Sequence, residues 1–568
     1  MRTQHMKPNE KHISRTQIAA RLALGAFAAL TVTACTSKSV LQFDAPSGEE
    51  QIFAAPPAPG AVQLRVLSSR EYKNSVKAIL GVDVKPDLEF GARRNGFETS
   101  ADGLLDQNLL SALIEEAPVV AENYIVTNLA NEYPCLRDVP PGDQCVRDSV
   151  AAVGFKFFRR PLTEEEINDY HNYYNERRAI DDQHLATVQL FSRFLLSANF
   201  LYRSELGKLA AGESTTRLTQ FEIASLIAFT LTATTPDTLL MNDAKSGKLS
   251  GDTIRGHVRR LLKTADGRNA VIRFMKGWLK LDNLDDMHRN PDRYAKLQSA
   301  DQAWALKREF ELFVKDVVLE GAGTLRAALT EPVTYVNRHT AQLYGVQNDG
   351  DSMTRVQLDG TRRGGIVTLA SVMAAHASST DVNRDRPVQR GTMILKQIMC
   401  GEVGIPSGLD VISAGNQAAS RVPNYQDLTT REQFDVIMQQ SESCVSCHQG
   451  FMPFGYVLGN FNALGAFVTD FRGRPINAAV TNVPMSRGRR NFDGPVAFVK
   501  ELAEDERVHR CFTKQFAKFV TGADNGPYVD DLGRYFHAGF RRKKFNIRDL
   551  IEDFFSEEFL YQRKATAP

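Results

Sequence analysis

The chain has 568 residues, more than one hydrophobic core usually supports, so about two to four domains are expected. Its 69 Lys and Arg nearly balance 67 Asp and Glu, which argues against a dedicated nucleic-acid binder. With 43% hydrophobic residues the composition also excludes a disordered or collagen-like chain. Seven cysteines is an odd number, and its meaning depends on the compartment.

Residues 1–21 carry Arg2, Lys7, Lys11, Arg15 and Arg21 against one acid, Glu10, and the apolar run Leu22 to Val32 follows. A basic stretch, about a dozen apolar residues and small residues before a cleavage point make a secretory signal. The run falls short of the about 20 residues that a membrane-spanning helix needs. Val32-Thr33-Ala34-Cys35 is similar to the lipobox of bacterial lipoproteins, which implies a signal peptide over 1–34 and lipidation of Cys35. An ordinary secretory signal with an incidental cysteine is the alternative. Thr36 rather than Asp after that cysteine points to the outer membrane, on its periplasmic or surface face. No later stretch is apolar enough to span a bilayer, so the lipid would be the sole anchor. Loss of 1–34 leaves 64 basic and 66 acidic residues, so the slight positive charge belongs to the signal. In an oxidising compartment the remaining cysteines pair or carry cofactors.

Residues 35–61, rich in Pro, Ser and Gly, read as a flexible tether. A first helical domain, 62–132, opens with Ser68 or Ser69 capping a helix Arg70–Leu80 that Gly81 stops, and periodicity resumes from Leu104 to Ala130. In a second, 133–208, Thr163 and Glu164–Glu166 start a helix and Leu185–Leu206 forms a long apolar one. A large helical domain, 209–350, has helical periodicity near 218–231, 251–264, 267–281 and 298–319. The segment 351–500 follows, with helices near 366–374, 386–399 and 428–440, a short strand at Arg355–Leu358 and a long loop over Val403–Asn424. The closing domain, 501–568, has helices near 508–521, 528–539 and 547–557.

One motif carries chemistry. Cys444-Val445-Ser446-Cys447-His448 is a C-x-x-C-H, in which two cysteines one helical turn apart take up the haem vinyl groups as thioethers and the histidine ligates the iron. The segment 351–500 is therefore read as a cytochrome-c-like domain with one covalent haem c, held by Cys444, Cys447 and His448, and the fold class as mainly α and multi-domain. A local disulfide, a redox pair and half of a zinc site are the competing readings. The redox pair wants a βαβ context and zinc wants a further CxxC, and the sequence has neither. Met485 is the expected distal iron ligand, with Met373, His376, Met438 and His509 also available.

Cys135 and Cys145 flank Pro140-Pro141-Gly142, and a disulfide between them is the default in an oxidising compartment. A Cys400–Cys511 bond would enclose about 110 residues around the motif, and two buried free thiols are the alternative. Lipid, haem and two disulfides together use all seven cysteines. No catalytic set of the G-x-S-x-G, H-E-x-x-H or P-loop kind is present, so catalytic residues are not assigned.

Several segments together resemble the planctomycete-type cytochrome c and surface-domain proteins. Leu64–Gly81 resembles the opening motif of that family through Glu71, Tyr72, Asn74, Val76 and Gly81, and Phe157–Glu166 its FRRPLT stretch. Residues 217–345 resemble its large helical domain. Arg363-Gly364-Gly365-Ile366 and Arg386-Pro387-Val388 with Arg390-Gly391 resemble the lead into its haem segment. Cys444–Phe467 matches at Pro453, Gly455, Tyr456, Leu458, Asn460, Phe461 and Gly465. Met452, Gly459 and Asn462 stand where relatives carry acidic or amide residues, which puts a propionate or proton-handling role of those positions in doubt here. The resemblance implies a helical body and a haem cofactor better than it implies an activity.

The combined expectation is a lipid-anchored c-type haem protein of the bacterial envelope that transfers electrons or serves an oxidoreductase, with the membrane and a redox partner protein as partners and no nucleic acid. The alternatives are a surface lipoprotein that binds a partner or polysaccharide, its CxxC a structural disulfide, and a metal-dependent hydrolase using His448.

Overall fold

Several helices in this chain are started by local side-chain caps. Ser68 accepts from the Glu71 amide at 3.2 Å, and the Glu71 carboxylate accepts from the Ser68 amide at 2.9 Å. That capping box opens helix Ser69–Leu80, and Gly81 closes it in the left-handed region at φ 74°. Thr163 with Glu166, Thr219 with Glu222 and Thr429 with Glu432 repeat the device ahead of helices Glu164–Arg178, Gln220–Thr232 and Thr430–Met438. The structure is a computed structural model that describes residues 41–42, 55–85 (without 62), 88, 97–98, 105–285 (without 139 and 210–212), 299–403 (without 379–380), 417, 419–439, 445 and 448–564. Cys35 and the signal 1–34 lie outside the described residues, as does most of the tether. Among the described residues no helix is long and apolar enough to cross a membrane.

The protein is mainly helical, with short two-residue to six-residue strands at the joints. Apolar stripes on helices Ser69–Leu80, Gln107–Tyr124, Asp143–Phe158, Glu164–Arg178 and Gln183–Leu195 close around one core, centred on Tyr72, Phe157, Phe191 and Phe194. A larger core takes in Phe97 and residues from Leu218 to Tyr561 and includes Trp278, whose indole N–H donates to the Gln397 carbonyl at 2.7 Å. Among the described residues five helices exceed the elements read from sequence: Asp143–Phe158, Thr238–Lys245, Leu325–Thr330, Met452–Tyr456 and Pro495–Leu502. The last starts on a proline, whose fixed φ suits the first helical turn. Three predicted helices finish in wide π turns, at Ile125–Leu129, Val314–Glu320 and Ile394–Ile398.

The expected helix Leu185–Leu206 is corrected. It ends at Leu195, a single turn Ala198–Leu201 follows, and Tyr202–Glu205 is a strand paired antiparallel with Gln63–Val66. Strand geometry puts Arg203 and Glu205 on one face, where both are buried and paired, whereas a continuing helix would turn them apart. The strand expected at Arg355–Leu358 is Thr354–Gln357, paired with Val333–Val336.

The end of the chain returns to its beginning. Gln562–Lys564 lies between Gly60–Ala61, to which it is parallel, and Thr215–Arg217, to which it is antiparallel. Beside this seam Glu205 accepts from Arg563 at 2.6 Å and Arg65 at 3.1 Å, with Arg203 3.7 Å away. Arg203 also pairs with Glu71 at 3.0 Å, and Arg65 donates to the Val520 carbonyl at 2.9 Å. Burial alone would raise the Glu205 pKa, but Arg65, Arg563 and Arg203 outweigh it and hold the carboxyl at about 2. Two disulfides brace the body, Cys135–Cys145 and Cys400–Cys511.

Glu205→Gln leaves three buried guanidiniums short of a counter-charge and is expected to cost about 3–5 kcal/mol in urea unfolding at pH 7. The folded-state pKa lies below the ordinary 4.5, so this stabilisation is present above pH 4.5 and fades as pH falls towards 2, by about 3 kcal/mol. The stability gap between wild type and Glu205→Gln therefore narrows over that window, and a gap independent of pH would overturn the assignment.

Candidate functional site

The stretch that follows His448 sits on a helix crossing made by glycines. Helix Pro387–Met393 packs against helix Met452–Tyr456, which begins four residues after His448. A Cβ on Gly455 would fall 1.9 Å from the Pro387 carbonyl oxygen, and one on Gly391 2.4 Å from that of Phe451. Any side chain at either position would drive the two backbones apart.

Three buried arginines then pin the loops that flank this crossing. Arg390 donates to the carbonyls of Phe461, of Asn462 at 2.6 Å and of Met373 at 3.2 Å. Arg363 donates to Thr368, Leu343 and Gly465 carbonyls at 2.7, 2.9 and 2.5 Å and lies over the rings of Tyr344 and Phe461. Arg384 donates to the carbonyls of Gln426 and Leu428 and stacks on Phe471. Burial lowers the pKa of all three, that of Arg390 to about 10, so they stay charged at neutral pH. A fourth tie comes from Glu309, a fully buried carboxyl that accepts from the Ser371 amide at 2.8 Å, the Thr334 hydroxyl at 2.9 Å and the Tyr344 hydroxyl. It joins the platform to helix Ala370–Ala375, and burial raises its pKa.

His448 is half-buried, with its ring centre 5.2 Å from that of Phe451 and 5.7 Å from that of Phe434. Burial lowers its pKa, which keeps the imidazole neutral, the form that binds a metal. Its Nδ1 is buried and has no hydrogen-bond partner among the described residues, and the same holds for the hydroxyl of Tyr456 eight residues on. A neutral imidazole beside aromatic rings, with buried polar atoms left over, fits a haem ligand. Cys444 and Cys447 lie outside the described residues. Among the described residues no three His, Cys, Asp or Glu side chains gather as a metal site.

Met485 ends strand Val480–Met485, is buried, and lies on the strand that packs against helix Met452–Tyr456. Met373 is fully buried in the large core and Met438 ends helix Thr430–Met438. The two other histidines named as distal candidates have Nε2 engaged. That of His376 is 2.7 Å from the Leu279 carbonyl, and that of His509 is 2.9 Å from the Ala503 carbonyl. Burial pushes His376 down to about 4.

The three departures from the family motif have distinct structural meanings. Asn462 Oδ1 accepts from the amides of Leu464 and Ala466, both at 3.0 Å, a turn that an aspartate would hold equally. Met452 fills the core. Gly459 has the Asp385 Oδ2 only 3.4 Å from where a Cβ would stand, so Asp385 places a carboxyl close to the position of the missing acid. Burial raises the Asp385 pKa, against the pull of the Thr430 hydroxyl and Arg390. Asp385, Glu309 and Tyr456 were not singled out as functional by sequence. The Arg-Asp-Arg run 384–386 was the available signal for the first of them.

The geometry defines a helical platform that carries His448 and the helix Met452–Tyr456 after it. Three family models match in chain order: PSD5, a protein of unknown function (DUF1595), over residues 145–205; PSD4, a protein of unknown function (DUF1592), over 218–346; and PSCyt3, a protein of unknown function (DUF1588), over 363–470. The chain belongs to the planctomycete cytochrome c and surface-domain families. The PSCyt3 match contains the glycine crossing, the three arginines and the CxxCH. No curated protein matches the chain, and no solved structure does.

Gly455→Ala is expected to lower stability by about 3 kcal/mol, because the relief must come from backbone rather than from a flexible side chain. Thermal unfolding checks this, and an unchanged midpoint would show that the helices are not in backbone contact.

Proposed function

We propose that the protein is a lipid-anchored, monohaem c-type protein of the bacterial envelope that passes electrons to or from a partner. The observation that carries this reading is His448, neutral by burial and with an unpartnered Nδ1, in a CxxCH within a cytochrome-like family match. Cys444 and Cys447 would hold the haem by thioethers and His448 would supply the proximal imidazole. A bound haem c would supply one-electron chemistry at iron. The chain's own contribution is to hold the segment rigid: Arg363, Arg384 and Arg390 fix the loop backbones, and rigid surroundings keep the reorganisation on electron transfer small. Burial of His448 excludes the proton that would otherwise compete for its nitrogen.

Expression in a host with c-type haem maturation is expected to give a covalent haem stain on a denaturing gel and a reduced-minus-oxidised spectrum with sharp α and β bands. Cys444→Ser with Cys447→Ser is expected to abolish the stain. Absence of haem from the wild type would overturn the reading in favour of a structural cysteine pair in a binding lipoprotein. Met485→Leu is expected to remove a methionine–iron charge-transfer band, and its persistence would exclude Met485 as distal ligand.

The envelope address is tested separately. Cys35→Ser is expected to move the protein from the membrane to the soluble fraction, and unchanged membrane retention would overturn lipidation at Cys35.

A further inference from the structure

A cleft opens where helix Ser69–Leu80 of the first core meets helices Gln220–Thr232, Ala265–Trp278 and Glu506–Thr521 of the second. Five cations line it, Arg65, Arg70, Arg203, Arg273 and Lys276, against three carboxylates. Arg70 is matched by Glu98 in a two-pronged pair at 3.0 Å, and Arg203 has Glu71 on one prong only. Arg203 is 1% exposed, and its Nε and remaining terminal nitrogen have no hydrogen-bond partner among the described residues, Glu205 being 3.7 Å off. The Arg65 Nε, equally buried, also lacks one. Arg273 donates to the Thr230 carbonyl at 3.3 Å, and burial depresses its pKa to about 10.

Buried guanidinium N–H groups without acceptors are costly, and an excess of two positive charges in a walled cleft selects for negative ligands. The flat fork of a guanidinium matches the paired oxygens of carboxylate or phosphate. We propose that this cleft is a binding site for a small oxyanion, a carboxylate or phosphate group held by Arg203 and Arg273 with Lys276 at the rim. The phenyl ring of Phe229, on which Arg203 stacks at 5.1 Å, gives the site an apolar wall for the body of the ligand. A ligand there would touch both cores and so stabilise their docking.

The test uses the full mature chain, with inorganic phosphate and succinate as probes and chloride at equal ionic strength as control. Thermal shift and titration calorimetry are expected to show saturable one-to-one binding of at least one probe. Arg273→Gln is expected to weaken it about tenfold or more. Phosphate alone, succinate alone or both identifies the preferred oxyanion chemistry. No binding of either probe beyond chloride would overturn the site, as would wild-type affinity in Arg273→Gln. If Arg273→Gln does not fold, Lys276→Gln decides, a loss of about threefold supporting the site and unchanged affinity overturning it. Arg487→Gln, on the distant hairpin loop, is expected to bind as wild type.

Discussion

The structure depends on one buried charge, Glu205, held between arginines from three distant parts of the chain. Arg65 comes from strand Gln63–Val66, Arg203 from the strand Tyr202–Glu205 beside it and Arg563 from the last described strand, Gln562–Lys564. None of these groups can be left alone in a buried site, so each segment is stable only when the other segments have arrived. The helices of the first core can cap themselves locally, and this cluster and the parallel pairing of Gly60–Ala61 with Arg563–Lys564 are among the ties that attach them to the second core. The price of such an arrangement is that the two cores are linked by an interaction sensitive to the loss of any single partner.

The stretch after His448 is supported by a different kind of contact. Backbone meets backbone at Gly391 and Gly455, and guanidiniums reach from buried positions to carbonyls up to about a hundred residues away in sequence. Carbonyl acceptors do not titrate, so the positioning of the loops stays constant across the range of pH in which a neighbouring carboxyl such as Asp385 changes charge. Sequence departures from relatives at 459 and 462 are absorbed without dismantling this frame. Asn462 keeps the turn, and Asp385 keeps a carboxyl close by.

Elements whose cause is local were legible in the sequence. Ser68, Thr163 and Gly81 act within four residues of where they stand, and the helices they bound follow the expected limits closely. The strand Tyr202–Glu205 was not legible, because its apolar neighbours continue a helical pattern and its true partner lies about 140 residues upstream. The C-x-x-C-H could be read directly, as covalent chemistry fixes its spacing. What surrounds it could not: the glycines appear in the sequence as motif positions, but only the fold shows that they face each other. The polar ties at Glu309 and Asp385 were missed for the same reason, since a buried carboxyl looks in sequence like any exposed one.

The Cys400–Cys511 disulfide makes the middle of the protein a closed covalent ring. Helix Pro387–Met393 and its π turn lead into one end, helix Glu506–Thr521 carries the other, and the CxxCH lies on the ring between them. A single cut of the backbone anywhere from 401 to 510 therefore opens the ring without separating the fragments. Connectivity between platform and motif segment survives such a nick, and is lost only when cleavage and reduction occur together.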